Sequence, residues 1–447
     1  GFQAVEDAIN EITVPKINVS VKLEPIYCYD LDSEQMLAVS SGDKLDLILE
    51  LFNGNTSYVN SDALLPLDDL YEEYGDAIAD VYGDSIEAGK VNGTLYSIPC
   101  TSSGQSYGYI VRSDILEKYG YSTENRDVSM DEIEEIFAKV KAGEGDNFYM
   151  IAGSNAFDNY MALDNLGQSG YSGGILCLDS SDPLKIQNAY KTDEYKKYAE
   201  TCYEWAQKGY ISGDAVSNSQ SNAENVATGK YFGFASSTGA GQDQWASNAA
   251  GYKMTCLTTR KAICSTSDCQ TVMWSIASNC ENPEKAMQLL NLMYEENDIG
   301  MLLSYGIEGE DYVVKEKGDD GNMIISYPEG EDSTTIPYYN MFGVWRGGQI
   351  AQFEPYTLDY FKEVDEAYKN INYSPAYGYV FDTTNVATQL SAVNAVVTQY
   401  AETINAGVAD PETTLGSLWK DLDSAGYQEV IDENQKQLDQ YMDKQDK

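Results

Sequence analysis

VNGTLYSIPCTSSGQSYGYIVRSDILEKYG, residues Val91 to Gly120, decides how the chain is organised. It opens on an Asn92-Gly93 turn and an apolar strand piece, Leu95, Tyr96 and Ile98, which Pro99 stops. A run rich in Ser, Thr, Gly and Gln follows. A second strand piece carries Tyr107, Tyr109 and Val111. Ser113 then starts a helix with Ile115, Leu116 and Tyr119 on its apolar side, closed by Gly120. Turn, strand, polar corner, strand and helix in this order suit a chain that leaves one lobe and enters another. The simpler alternative is two strands of one domain joined by a loop.

Length calls for more than one core. At about 100–200 residues per domain, the 447 residues divide into two or three units. With 72 acidic and 28 basic residues the formal charge is −44. That balance argues against nucleic acid, whose phosphates are met by Lys and Arg, and against docking on anionic lipid. There is no histidine, so His general bases, Ser-His or Cys-His nucleophile pairs and His metal ligands are excluded. No cofactor or metal is expected. The eight cysteines hold no CxxC pair, which removes zinc ribbons and redox motifs. Cys264 and Cys269 are spaced to close a small loop in an oxidising place. No apolar run of membrane-spanning length occurs.

Outward from the opening stretch, Phe2, Val5, Ile9 and Ile12 predict a helix already under way at the first residue, which suggests an upstream strand and export signal. Ile17, Val19, Val21 and Leu23 alternate with polar residues and predict a strand. Residues 33–40 read as a short helix and Lys44–Phe52 as a buried strand. Together they predict a βαβ unit with a parallel sheet, whose ligands sit at the carboxyl ends of strands. Glu50, Asn53, Asn55 and Tyr58 fall at that edge. Ser129 with Glu132 is a capping signature before the stripe Ile133, Ile136, Phe137 and Val140. Tyr160, Met161 and Leu163 are expected to begin another helix. Asn222–Gly229 reads as a helix before a strand at Tyr231–Ala235, and Trp245 falls in a polar loop. Strand Gln270–Ser278 leads to Asn282 as cap and Pro283 at the first helical position, a return crossing into the first lobe.

Catalytic motifs are few. Gly104-Gln105-Ser106-Tyr107-Gly108 fits the G-x-S-x-G elbow, yet strand-like sequence follows the serine and no histidine exists to serve it. Ser41 to Lys44 fits S-x-x-K, but it precedes a strand and opens no helix. Paired carboxylates for glycoside cleavage are the serious enzymatic alternative, with Glu50 and Asp382 the best-placed pair. A binding protein for peptides, amino acids or an acidic sugar such as a uronide would need a counter-charge from Arg112, Arg260 or Arg346. Trp245, Trp274 and Trp345 are the rings considered for stacking on a ligand; Trp274 lies in a strand and suits the core, as do Trp205 and Trp419 on their helical stripes.

The order of "DLILELFNGNTSYVNSDALLPLDDL" (46–70), the opening stretch, "GKYFGFASS" (229–237) and "WSIASNCENPEKAMQLLNLMY" (274–294) resembles the sugar-type extracellular solute-binding proteins of ABC importers. "IEGEDY" (307–312), "SPAYGYVFDTTNVATQLSAVNAVVTQY" (374–400) and "AGYQEVIDENQKQLDQYM" (425–442) look like the long lipoprotein-type subgroup of Gram-positive bacteria. The resemblance spans essentially the whole chain. It implies an α/β, two-lobed periplasmic-binding-protein-like fold with a hinge, a central ligand cleft and extra C-terminal helices. The lobes are expected at 1–110 with 268–335, and at 111–267 with 336–447. Also implied are a monomer without catalysis, export, a lipid anchor on an upstream cysteine and a membrane permease as partner. The family usually begins with a strand whose loop helps to hold the ligand, and this sequence lacks it. The ligand expected is a neutral oligosaccharide, with aromatic faces against the sugar and amides or carboxylates on its hydroxyls. The residues expected to bind it are Glu50, Asn53, Gln105, Tyr109, Trp245, Trp345, Arg346 and Asp382.

Overall fold

The computed structural model describes residues 1–99, 102–168, 170–338 and 350–445. Trp345 and Arg346 lie outside the described residues. The chain forms two compact units, Gly1–Ser102 with Thr266–Tyr368 and Ser103–Ser265 with Lys369–Lys447. It therefore passes from one unit to the other three times.

The first unit is built on a three-stranded sheet in which Val272–Ile276 lies between Leu47–Leu51 and Ser97–Pro99. Both pairings are antiparallel, so the parallel βαβ unit expected from the sequence does not form. The first of its two expected strands is absent as well. Helix Phe2–Ile17 ends on Asn18 in the left-handed region, and the alternating residues after it run extended with no sheet partner. Side chains of the helix take the place of a ladder. The Asn10 amide bonds both backbone groups of Val21, at 2.6 and 2.9 Å, while Glu6 accepts from Leu23 N–H at 2.8 Å and Thr13 donates to the Val19 carbonyl at 2.7 Å. Pairing is thereby satisfied locally, which removes the drive to join a sheet. Helix Pro283–Glu295 follows the reading of its sequence. Asn282 accepts from Lys285 N–H, Pro283 sits in the first turn, and Ala286, Leu289, Leu290 and Met293 are buried. Ala286, Leu290 and Met293 pack with Leu67, Ile78, Ile98 and Ile276 in the unit's main core.

The second unit holds a five-stranded mixed sheet. Its order is Arg126–Asp127, Met254–Ile263, Gln105–Arg112, Tyr231–Ser237, Tyr149–Ile151. The three inner strands are antiparallel neighbours and the two short outer ones are parallel to theirs. The inner strands run so close that glycine is required at their crossings. A Cβ on Gly108 would stand 2.0 Å from the Leu257 carbonyl oxygen, and one on Gly233 would stand 2.2 Å from that of Ile110. Helix Met130–Glu144, capped by Ser129, buries Ile133, Ile136, Phe137 and Val140. Phe137 meets fully buried Trp205 at 5.1 Å between ring centres. The C-terminal helices Ala387–Asn405, Pro411–Ser424 and Tyr427–Gln445 close a second core with helix Asp193–Gln207.

The crossings lie elsewhere than the sequence reading put them, for reasons of pairing. Gln105–Arg112 is one unbroken strand of the five-stranded sheet, so the first crossing comes before it. Ala351–Phe353 pairs in parallel with Met323–Ser326, which keeps the chain in the first unit up to Tyr368. Three further readings change. The helix expected from Tyr160 is a 3-10 turn at Phe157–Asn159 followed by the short strand Leu163–Asp164, which pairs with Ile175–Cys177. Trp245 sits in helix Gln242–Ala250, entered through left-handed Gly241, and not in a loop. Cys264 and Cys269 are both buried, belong to different units and form no disulfide with each other.

Candidate functional site

Each unit offers one surface with ligand-like chemistry. In the first unit it lies where strand Leu47–Leu51 ends. Glu50 itself points inward and is 1% exposed. Its carboxylate accepts from Ser97 Oγ at 3.0 Å and from Ser275 Oγ, and Asn55 Nδ2 in turn donates to Ser97 Oγ at 3.0 Å. Burial favours the neutral acid and pushes the Glu50 pKa up to about 7, opposed by the two serine hydrogen bonds and aided by the charge of Asp32. Asn55 and Tyr58 are buried as well, so three of the four edge residues read from the sequence are interior. The strand emerges only at Phe52, which is 55% exposed and holds a φ of 67°. A bulky residue there is a backbone outlier that the surrounding structure must enforce. Asn53 is exposed and donates to Asp32 at 3.0 Å, and Tyr58 donates to the same carboxylate at 2.7 Å. Tyr27 and Tyr29 stand exposed in an edge-on pair.

In the second unit a cleft of about 600 Å³ opens between the end of strand Met254–Ile263 and the segments around Tyr160, Asp179 and Tyr373. Thr259, Arg260, Asn159 and Asn372 also line it. The Cys264 amide bonds the Asn372 carbonyl at 2.8 Å and the Ser374 amide bonds the Cys264 carbonyl at 2.9 Å. This short parallel bridge holds the wall containing Tyr373 against the strand end. Tyr160 is held by Asn155, whose Nδ2 donates to its hydroxyl at 3.1 Å. Two half-buried tyrosine rings, amides and a hydroxyl around one cavity can cover apolar faces while bonding hydroxyl groups.

None of the sequence-read binding residues within the described part lines this cleft. Gln105 comes nearest: its backbone carbonyl accepts from Arg260 at 3.2 Å, and its side chain accepts from Ser237 Oγ at 3.1 Å. Tyr109 is fully buried in the sheet core and donates to Asn155 Oδ1 at 2.7 Å, so its ring is not open to a ligand. From Gly108 to Arg112 every residue of this central strand is buried on whichever face it points to. Asp382 forms an Asx-type turn ahead of Thr384–Val386 by accepting from the amide and hydroxyl of Thr384 at 3.0 and 2.6 Å. Trp245 is 44% exposed on its helix. Glu50 is interior, which removes it as a carboxylate open to a glycosidic bond. Phe52 and Tyr373 gave no sequence signal of their own, because each is one aromatic residue among many.

The chain matches the profile of the family "Bacterial extracellular solute-binding protein" over residues 18–297. Residues 375–443 match a domain of unknown function (DUF3502). A carbohydrate ABC transporter substrate-binding protein of Streptococcus pneumoniae serotype 4 is 23% identical over 97% of this chain and 87% of its own length. Among solved structures, the N-glycan transport solute binding protein NgtS of Streptococcus pneumoniae superposes with a TM-score of 0.78, at 22% identity, over 99% of this chain and 96% of that one. The same protein in complex with Man1GlcNAc gives 0.66 over the same shares of both chains. The fold is accordingly the α/β, two-lobed one of solute-binding proteins, with added C-terminal helices. With more than half of its residues under the family profile, the chain belongs to the bacterial extracellular solute-binding proteins.

Proposed function

We propose that this protein is the extracellular substrate-binding component of an ABC importer, which captures an oligosaccharide by hinge closure and delivers it intact to a membrane permease. The observation that carries the sugar reading is the cleft of the second unit, where Tyr160 and Tyr373 stand with Asn159, Asn372 and Thr259. Rings that cover the apolar face of a pyranose, beside amides that bond its hydroxyls, are what such a ligand needs. The carbohydrate-transport relative and the glycan-bound structure of NgtS support the same class. The protein works as a monomer on the outer face of the membrane, held there by an N-terminal lipid.

Thermal-shift screening against neutral oligosaccharides, followed by calorimetry and recovery of the sugar, tests this. A ligand that binds only the folded state raises the melting temperature. A rise with one glycan class and unchanged sugar afterwards is the expected result. Cleavage of the sugar would establish a hydrolase instead, and a rise only with peptides or amino acids would overturn the carbohydrate assignment.

A further inference from the structure

The sequence has four arginines, Arg112, Arg126, Arg260 and Arg346. Arg112 forms a two-pronged pair with Asp114, at 3.0 and 2.6 Å, and stacks over Tyr252. Arg126 pairs with Glu132 at 2.6 Å. Arg260 differs from both. It is 8% exposed, and among the described residues no carboxylate reaches ion-pair distance of it. Its Nη2 donates to the Gln105 carbonyl at 3.2 Å and its Nη1 reaches the Leu163 carbonyl only at 3.5 Å, while Nε–H meets no protein acceptor. The guanidinium lies over the Tyr107 ring, 4.5 Å from its centre, which fixes the plane of the fork.

A buried cation without a counter-charge is costly, the more notable in a chain of net charge −44 where carboxylates are plentiful. Arg260 lines the second unit's cleft. So does Asn159, which is 2% exposed and whose side-chain amide faces the Tyr109 hydroxyl. Of the other charged groups there, Lys261 is engaged with Asp127 at 3.2 Å, and Asp179 is exposed and outside ion-pair distance of Arg260. A cationic fork without a counter-charge and with its Nε–H unmet, and a buried amide, thus border the same cavity.

We infer that this cleft reads a carboxylate on the glycan, so that the ligand class is an acidic oligosaccharide carrying a uronate or comparable sugar acid. The guanidinium supplies the planar donor pair that a carboxylate fits, and Asn159 supplies a further donor and an acceptor for a neighbouring hydroxyl. The inference rests on the oligosaccharide reading above.

Calorimetry on the full chain compares a uronate-terminated oligosaccharide with its carboxyl-reduced neutral counterpart, beside neutral mannose–N-acetylglucosamine fragments. The acidic member is expected to bind at least 10-fold tighter. Arg260→Gln should shrink that gap below 3-fold, and Arg260→Lys, which keeps charge but not the fork, should leave an intermediate gap. Equal affinities in the wild type overturn the inference whatever the variants do, so a variant that fails to fold does not shelter it. A gap that survives in a normally melting Arg260→Gln overturns it too. Binding of neutral glycans without acidic preference refutes this inference alone and leaves the proposed function standing. Failure of every glycan, neutral and acidic, refutes both.

Discussion

Ser97 Oγ stands 3.0 Å from Glu50 Oε1 inside the first unit, on strands that are separated by Val272–Ile276. The contact places a titratable group in the core, held by two serine hydroxyls, and burial raises its pKa from 4.5 to about 7. The sign of the effect on stability follows. Below 4.5 both folded and unfolded chains hold the proton. Between 4.5 and 7 only the folded chain does, so stability is lost as pH rises through that window. The loss amounts to about 3 kcal/mol. Glu50→Gln, neutral throughout, should escape it. Urea denaturation of both proteins at pH 4.5, 5.5, 7 and 8 should show wild type losing ground to the variant up to pH 7 and holding level beyond. A constant difference across that range would mean that the carboxyl titrates as if exposed.

Phe52 couples an exposed ring to a left-handed backbone. Glycine relieves that conformation, worth about 1–2 kcal/mol, against about 0.5–1 kcal/mol for the extra freedom of the unfolded chain. Phe52→Gly should therefore melt no lower than wild type. If the ring contacts the glycan, affinity should fall roughly 5-fold or more, near 1 kcal/mol. Unchanged affinity would reduce Phe52 to a strained turn.

Tyr109 and Asp382 should behave as structural residues. Tyr109→Phe removes the bond to Asn155 and should cost about 1–2 kcal/mol of stability. Asp382→Ala removes the bonds to the Thr384 amide and hydroxyl and should cost about 1 kcal/mol. Glycan affinity should stay within 2-fold for both, and a clear loss in either would return that residue to the binding site.

Tyr373→Ala should do the reverse. The ring is half-buried at the cleft wall beside Tyr377, 4.6 Å between centres. Its removal should weaken glycan binding roughly 3- to 10-fold with a melting shift too small to account for it. Equal affinity would take this wall out of the site.

Local signals were readable wherever a segment settles its own structure. Asn282 and Pro283 start their helix, and Ser129 caps the next stripe, because both devices act within one turn. Ser106 lies within a strand, in keeping with the strand-like sequence that follows it. What escaped depends on distant chain. Burial of Glu50 follows from a central strand supplied by residues 272–276, which nothing near residue 50 announces. The alternation of Ile17 to Leu23 was real, but helix side chains answered its backbone groups first. Arg260 stood out in sequence as a scarce cation, whereas the lack of a carboxylate beside it among the described residues is visible only once Asp114 and Glu132 are seen beside Arg112 and Arg126.

The three crossings also fix the order in which the protein can acquire structure as it is made. Neither unit is a continuous piece of chain: the first stays incomplete until residue 368 has emerged, and the second requires helices that end at 445. The central strand of the first sheet arrives some 220 residues after its neighbour at Leu47–Leu51. Long-range pairing of this kind is slow and leaves apolar strands uncovered meanwhile. A nascent chain therefore spends most of its synthesis without a finished core, which suits a polypeptide that must be threaded across a membrane before it folds. Truncations at residue 102 or 265 should accordingly yield no folded unit.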